Sequence, residues 1–302
     1  MKRLLFLLFF FGGVIKSVDE IYSEKMIVVV TASYNNKEWY EKNLMSIFSQ
    51  KYFNYHVLYI DDCSTDGTPD LVEKWADDHG VSDRITLIRN KTNRGGLANH
   101  YNVIQLIPDR AIVCIVDGDD FLATDYAFKF LSDTYRKKDV WLTYGQFMSW
   151  PDKGKGWCCE IPSEYVERNA IREFNHNLSH LRTFYAGLFK QIKKEDLMDG
   201  SEFWSINDNP AMYPMAEMAR GHVKYLPQVL LMWNNANPLN DHKEAALGRM
   251  RQLEADKKIR ALKPYNPVIS PFQGDAKGSI TDLKRTIKKA SQENIINVSG
   301  NF

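Results

Sequence analysis

The segment Ala111–Val116 reads AIVCIV, apolar at every position, and stops abruptly at Asp117-Gly118-Asp119-Asp120. A strand with one wet face alternates apolar and polar residues. A strand that is apolar throughout must be covered on both faces, which points to the centre of a parallel sheet flanked by helices. His56–Asp62, HVLYIDD, repeats this design and runs into the polar turn Cys63-Ser64-Thr65-Asp66-Gly67-Thr68. Two buried strands that both end in carboxylates put those groups at the carboxyl edge of the sheet, where open α/β sheets hold ligands. Asp117, Asp119 and Asp120, packed into four positions, repel one another unless a cation or hydrogen-bond donors offset them. Grouped oxygen ligands suit Mg²⁺ or Mn²⁺ carrying a substrate phosphate. A solvated acidic turn is the bland alternative, and its recurrence at two buried strand ends argues against it.

Strand and helix patterns alternate along the first half. Met26–Ser33 is a β-branched strand, and Glu38–Gln50 has helical spacing. Val57–Ile60, Ile85–Ile88, Ile112–Val116 and Val140–Tyr144 read as further strands. Between them, Thr68–His79 (with Pro69 in its first turn), Gly96–Ile107 and Tyr126–Tyr135 read as helices. Right-handed crossovers turn this order into a doubly wound, mostly parallel sheet with helices on both faces. Neither a GxGxxG nor a Walker A sequence follows the first strand, which disfavours the usual dinucleotide site and a P-loop. The pattern loosens from Trp150 to about Pro210, then resumes with a helix at Met212–Ala219 and a strand at Val223–Trp233. A charged helix follows at Asp241–Leu262, with Leu247, Met250, Leu253 and Ile259 on or near one face. The basic tail after Lys263 carries one more helix near Ile280–Ser291. The expected division is a nucleotide-binding domain over 26–240 and a helical, basic extension over 241–302.

Lysine and arginine total 39 against 38 acids, a net charge of +1, so no global field attracts nucleic acid. The four cysteines have neither a disulfide framework nor zinc-ligand spacing. Lys2-Arg3 followed by the Leu/Phe run Leu4–Phe11 marks residues 1–20 as a signal peptide or short membrane anchor. That implies the secretory pathway, the periplasm or a membrane surface. The alternative is a cytoplasmic protein whose amino-terminal helix packs on the domain.

VVTASYNN, YIDDCSTDGT, NKTNRGG and IVDGDD, in this order and spacing, resemble family 2 glycosyltransferases of the GT-A fold, a Rossmann-like nucleotide-binding architecture. NDNPAMYPMAEMARGHVKYLPQVLLMWN resembles the second half of their catalytic domain. The resemblance implies an inverting, metal-dependent transferase. It would move a sugar from a nucleotide sugar, UDP-linked by preference, to a hydroxyl of a glycan, lipid or protein. It implies that Thr31, Ser33, Asp61 or Asp62, and Arg94 line the donor cleft. Asp117, Gly118 and Asp120 would contact the donor, and Asp119 with Asp117 would hold Mn²⁺ or Mg²⁺, with His242 as a candidate third ligand. Asp208 would be the base, in a segment reading Asn207-Asp208-Asn209 where the family often has Glu-Asp; Glu217 is the alternative. His180 and Arg182, with Thr183, are candidates for the acceptor side or a diphosphate contact. A catalytically inactive sugar- or nucleotide-binding module on the same fold is the rival reading.

Overall fold

The computed structural model describes residues 24–299 except 138, 176–177, 205–207, 241–244 and 273–277. The amino-terminal segment and His242 therefore lie outside the described residues. No described helix is long and apolar enough to cross a membrane.

The first half alternates as its pattern dictates: β1 (Ile27–Ser33), α1 (Tyr40–Phe48), β2 (Tyr55–Asp61), α2 (Thr68–Asp78), β3 (Ile85–Arg89), α3 (Gly96–Ile104), β4 (Ile112–Ile115), β5 (Phe121–Leu122), α4 (Ala127–Lys137) and β6 (Leu142–Trp150). The second half contains α5 (Ser163–Glu167), β7 (Arg182–Tyr185), α6 (Ala186–Phe189), the hairpin β8 (Met198–Asp199) and β9 (Glu202–Phe203), α7 (Asn209–Ala219), β10 (Val223–Asn234), α8 (Ala245–Ala261), α9 (Ile280–Gln292) and β11 (Val298–Ser299).

Nine strands form one sheet in the order β11-β3-β2-β1-β4-β7-β6-β10-β5. The block β3-β2-β1-β4 is parallel, with Val29 opposite both Val57 and Cys114. Its strands are apolar because helices cover both faces; β1 and β4 are buried along their length, apart from Ala32 near the end of β1. The sheet departs from a purely doubly wound order at β7. This strand lies antiparallel between β4 and β6, with Arg182 opposite Ile115 and Thr183 opposite both Cys114 and Thr143. Its polar residues are satisfied inside the sheet: Thr183 Oγ1 lies 2.9 Å from Tyr135 Oη and 2.5 Å from Thr143 Oγ1.

The carboxyl-terminal segment completes this sheet. β11 pairs antiparallel with β3, and α9 buries Leu283, Ile287 and Ala290 beneath a Ser279 cap. Among the described side chains of α8, Ala255 and Ile259 are buried whereas Met250 and Leu253 are exposed, so Met250 and Leu253 do not share the face of Ile259 as expected from sequence; Leu247 lies outside the described side chains. Nine residues span two and a half helical turns, so Met250 and Ile259 face opposite ways.

Candidate active site

The carboxyl ends of β1, β2 and β4 meet in one place. Ser33 sits beside Asp61 in register. Ser33 Oγ accepts hydrogen bonds from Tyr59 Oη (2.9 Å) and Asn36 Nδ2 (3.1 Å). Gly118 lies against it: a Cβ there would come within 2.7 Å of Ser33 Cβ and 2.8 Å of Asn36 Nδ2, so only glycine lets the two loops touch. Asn43 on α1 ties the acidic turn down, its Nδ2 donating to the carbonyls of Asp117 (2.9 Å) and Asp120 (2.7 Å).

The two adjacent acids after β2 divide their work. Asp62 is saturated by structure. Its carboxylate accepts from Asn90 Nδ2 (2.8 Å) and from the backbone N–H groups of Arg94 (2.9 Å) and Gly95 (2.8 Å), which pins the loop before α3. Asp61 Oδ2 accepts from the Ser64 N–H at 3.0 Å, and its buried Oδ1 has no partner among the described residues. Burial pushes the Asp61 carboxyl above its ordinary range. Asp66 binds the backbone N–H of Thr68 at the start of α2 (2.9 Å). Thr31 is fully enclosed in the sheet and does not reach the cleft. Arg94 has an exposed side chain.

Asp120 is buried, with its Oδ1 accepting from the Asn234 N–H at 2.7 Å at the end of β10. Burial, and after it the charges of Asp119 and Asp117, hold its carboxyl well above the usual range. Asp119 Oδ2 accepts from Asn237 Nδ2 at 2.7 Å. The ligand-bearing atoms that converge among the described residues belong to Asp117, Asp120 and His180, all within 4.8 Å of one another. This set shares Asp117 with the expected one and adds Asp120, expected to contact the donor, and His180, expected on the acceptor side or at the diphosphate. Burial, and then the Arg182 charge, push the His180 pKa down to about 3, so its imidazole is neutral, and its Nδ1 has no hydrogen-bond partner. A neutral imidazole and two carboxylates form a donor set that fits a divalent cation.

Arg182 is the centre of charge in this site. It is 2% exposed. Its Nη2 donates to Asp117 Oδ2 at 2.8 Å, and its Nη1 pairs with Asp208 Oδ1. Asp208 precedes α7, and its side chain is 48% exposed. Arg182 thus joins the acidic turn to the carboxylate expected to be the base. His100, on α3, belongs to the same surroundings. Burial lowers its pKa against the fields of Asp117 and Asp208, and its buried Nε2 has no partner. Nothing in Asn99-His100-Tyr101-Asn102 singled it out beyond a polar histidine in the first turns of the helix after Arg94-Gly95.

Glu217 is elsewhere. It lies nine residues down α7 from Asp208, roughly 13 Å along the axis. It is fully buried, with Arg172 Nε on Oε1 (2.6 Å), Arg172 Nη2 on Oε2 (2.9 Å) and the Tyr265 N–H on Oε2 (2.9 Å). Burial raises its pKa despite Arg172. A carboxylate locked this way cannot meet an acceptor hydroxyl, so its expected catalytic role gives way to a structural one. Glu217→Gln is expected to destabilise the protein by about 3–5 kcal/mol, because it strands a buried Arg172 charge. The rate per folded molecule should hold, as thermal melts and active-site-normalised kinetics would show.

The protein-family description "Glycosyl transferase family 2" matches residues 28–200, more than half of the chain. The chain belongs to glycosyl transferase family 2. Among curated relatives, UDP-Glc:alpha-D-GlcNAc-diphosphoundecaprenol beta-1,3-glucosyltransferase WfaP of Escherichia coli is 28% identical over 144 residues, 44% of this chain and 55% of that protein. Glycosyltransferase GlyG of Streptococcus pneumoniae is 23% identical over 57% of this chain and 58% of its own. The chain thus spans between a third and somewhat over half of the length of the curated relatives it matches, from 33% to 58%. Two solved structures share the fold. S. aureus TarS in complex with UDP-GlcNAc superposes with a TM-score of 0.55 at 16% identity, covering 78% of this chain and 70% of that one. The mannosyltransferase PcManGT of Pyrobaculum calidifontis, in complex with GDP-Man and Mn²⁺, gives 0.54 at 18%, covering 92% and 77%. The family-2 chain therefore has the mostly parallel GT-A sheet with helices on both faces and additional carboxyl-terminal helices.

Proposed function

We propose that this chain transfers a sugar from a nucleoside-diphosphate sugar to an acceptor hydroxyl by a single inverting displacement. The observation that carries the reading is the approach of Asp117 and Asp208 across Arg182, which sets a donor-side carboxylate opposite a half-exposed carboxylate that can serve as base. Asp208 takes the proton from the acceptor hydroxyl, whose oxygen forms the new bond to the anomeric carbon. The bond from that carbon to the phosphate oxygen breaks, and its electron pair leaves with the nucleoside diphosphate. Asp117, Asp120 and His180 would hold a divalent cation, Mn²⁺ or Mg²⁺, which supplies Lewis acidity to the departing diphosphate. Asp119 lies in the same turn, where its Oδ2 accepts from Asn237 Nδ2.

For the base of the donor, Asp61 is the better of the two adjacent acids. Its Oδ1 is unpaired and could accept a ring N–H, whereas Asp62 is committed to the loop before α3. A uracil ring has such an N–H, and the names of WfaP and the TarS complex carry UDP-linked sugars, which favours UDP; the GDP-Man of PcManGT makes GDP the alternative.

On the acceptor side, Trp157 is 55% exposed, with Phe147 edge-on to it (centroids 4.9 Å) and Trp233 beside it (6.3 Å). Phe147 also packs against His180 at 5.6 Å. Aromatic faces next to the cation ligands suit a sugar ring, so a glycan acceptor is favoured over a protein. Lys2-Arg3 and Leu4–Phe11 would bring the enzyme to a membrane.

The test is a panel of UDP- and GDP-sugars with Mn²⁺ and free glycans, scored for nucleotide release and for a new glycosidic linkage of opposite anomeric configuration. Binding of a nucleotide sugar without turnover would favour the inactive-module reading instead.

A further inference from the structure

Resting on the reading above, we propose that Arg182 is a positioning residue that exchanges partners. It holds Asp208 in the resting protein and moves onto the donor diphosphate when the donor binds, which releases Asp208 to act as base.

Burying a guanidinium is costly unless its charge is met. Arg182 has almost no solvent contact, so its charge must be met by anions inside the protein. It is met by two carboxylates from separate elements, Asp117 at the end of β4 and Asp208 before α7. In this arrangement one oxygen of Asp208 is turned to Arg182 instead of to an acceptor hydroxyl.

The fork of Arg182 is also not fully used. Its buried Nε has no hydrogen-bond partner. A planar guanidinium donates in pairs to phosphate oxygens, and an entering diphosphate offers more negative charge than either carboxylate. Accepting it requires at least one of the two carboxylates to let go.

Exposure decides which one. Asp208 is the more exposed, 48% against 33% for Asp117, so water can receive its freed charge at lower cost. It also sits at the amino end of an eleven-residue helix, whose dipole favours a carboxylate without any cation beside it. Asp117 keeps company with Asp120 and His180 and is retained for the cation. The consequence is an order of events: the base becomes available only after the diphosphate has taken its partner.

In thermodynamic terms, Asp208 competes with the nucleotide for Arg182. Removing the competitor should therefore tighten nucleotide binding, although Asp208 itself touches no nucleotide. The experiment is calorimetric titration of UDP, and in parallel GDP, in the presence of Mn²⁺ into wild type, Asp208→Asn, Arg182→Gln and the double variant. Asp208→Asn is expected to tighten binding by roughly fivefold or more, and Arg182→Gln to weaken it by roughly tenfold or more. In the Arg182→Gln background the gain from Asp208→Asn should vanish. An equal gain in both backgrounds would mean simple charge repulsion between Asp208 and the nucleotide, and would overturn the exchange; so would no gain at all. If Arg182→Gln does not fold, Arg182→Lys replaces it. Its single ammonium cannot serve two partners as the fork does, so the gain should shrink clearly, and an undiminished gain would again overturn the proposal. A wild-type protein that binds neither nucleotide would sink the donor reading itself, whereas normal wild-type binding with no gain in Asp208→Asn sinks only the exchange.

Discussion

Asp208→Asn is expected to lower the rate of sugar transfer at saturating donor and acceptor by roughly a hundredfold or more, the usual range for losing a positioned general base. The amide has the shape of the carboxylate but cannot accept the proton of the attacking hydroxyl. Its effect on kcat falls on the step in which that proton moves, apart from the tighter nucleotide binding expected once Asp208 no longer competes for Arg182. The fold should not suffer. Asp208 starts α7 through its backbone carbonyl, which accepts from the N–H groups of Ala211 (3.0 Å) and Met212 (3.1 Å), and its side chain makes no capping bond. Half of that side chain is in solvent and Arg182 keeps Asp117 as a partner, so the melting temperature should fall only modestly. A fall of less than tenfold in kcat, with the protein folded and the nucleotide bound, would remove Asp208 from the role. The contrast with Glu217→Gln is informative, since one substitution should act mainly on rate and the other mainly on stability.

The parallel core was legible because burial on both faces leaves a direct trace in β1, β2 and β4: runs rich in apolar residues, which lead into acids at the ends of β2 and β4. β7 left no such trace. Arg182-Thr183-Phe184-Tyr185 is short, half polar, and satisfied by partners far away in sequence, such as Tyr135 and Thr143. The same gap explains the fate of Arg182 and His180. Sequence offered them for the acceptor side or a diphosphate contact without a position, and only the antiparallel insertion of β7 beside β4 puts Arg182 opposite Ile115, two residues before Asp117. Glu217 illustrates the opposite failure. An acid on a helix near the site reads as a candidate base, and its commitment to Arg172, 45 residues earlier, cannot be seen without the fold. Asp62 likewise has partners that are nonlocal in sequence, the backbone N–H groups of Arg94 and Gly95. His100 escaped notice because a histidine in a helix is ordinary; its placement near Asp117, Arg182 and Asp208 is what makes it part of the site.

Asp120→Asn is expected to abolish the stabilisation by Mn²⁺ and, with it, transfer, while leaving the metal-free protein as stable as wild type or more so at neutral pH. Asp120 is enclosed, and burial, then Asp119 and Asp117, raise its pKa well above 3.8. The folded state therefore holds this proton more tightly than the unfolded state does. As pH rises from the unfolded pKa through the folded one, the unfolded state binds fewer protons than the folded, and stability falls across that window. The contribution is intact at acid pH and lost once the folded carboxyl is ionised. A divalent cation takes the place of the proton, so Mn²⁺ should stabilise wild type more at about pH 8 than at about pH 5, where it must displace the proton. The amide keeps the local structure, because its oxygen can still accept from the Asn234 N–H at 2.7 Å. It carries no charge to be repelled by Asp117 and Asp119, and so removes this part of the pH dependence. Thermal melts in EDTA and in Mn²⁺ at both pH values, taken as the difference between wild type and Asp120→Asn, isolate the effect from other titrating groups. A Mn²⁺-induced rise in melting temperature that survives in Asp120→Asn would place the cation elsewhere, with Asp119 as the carboxylate to test next.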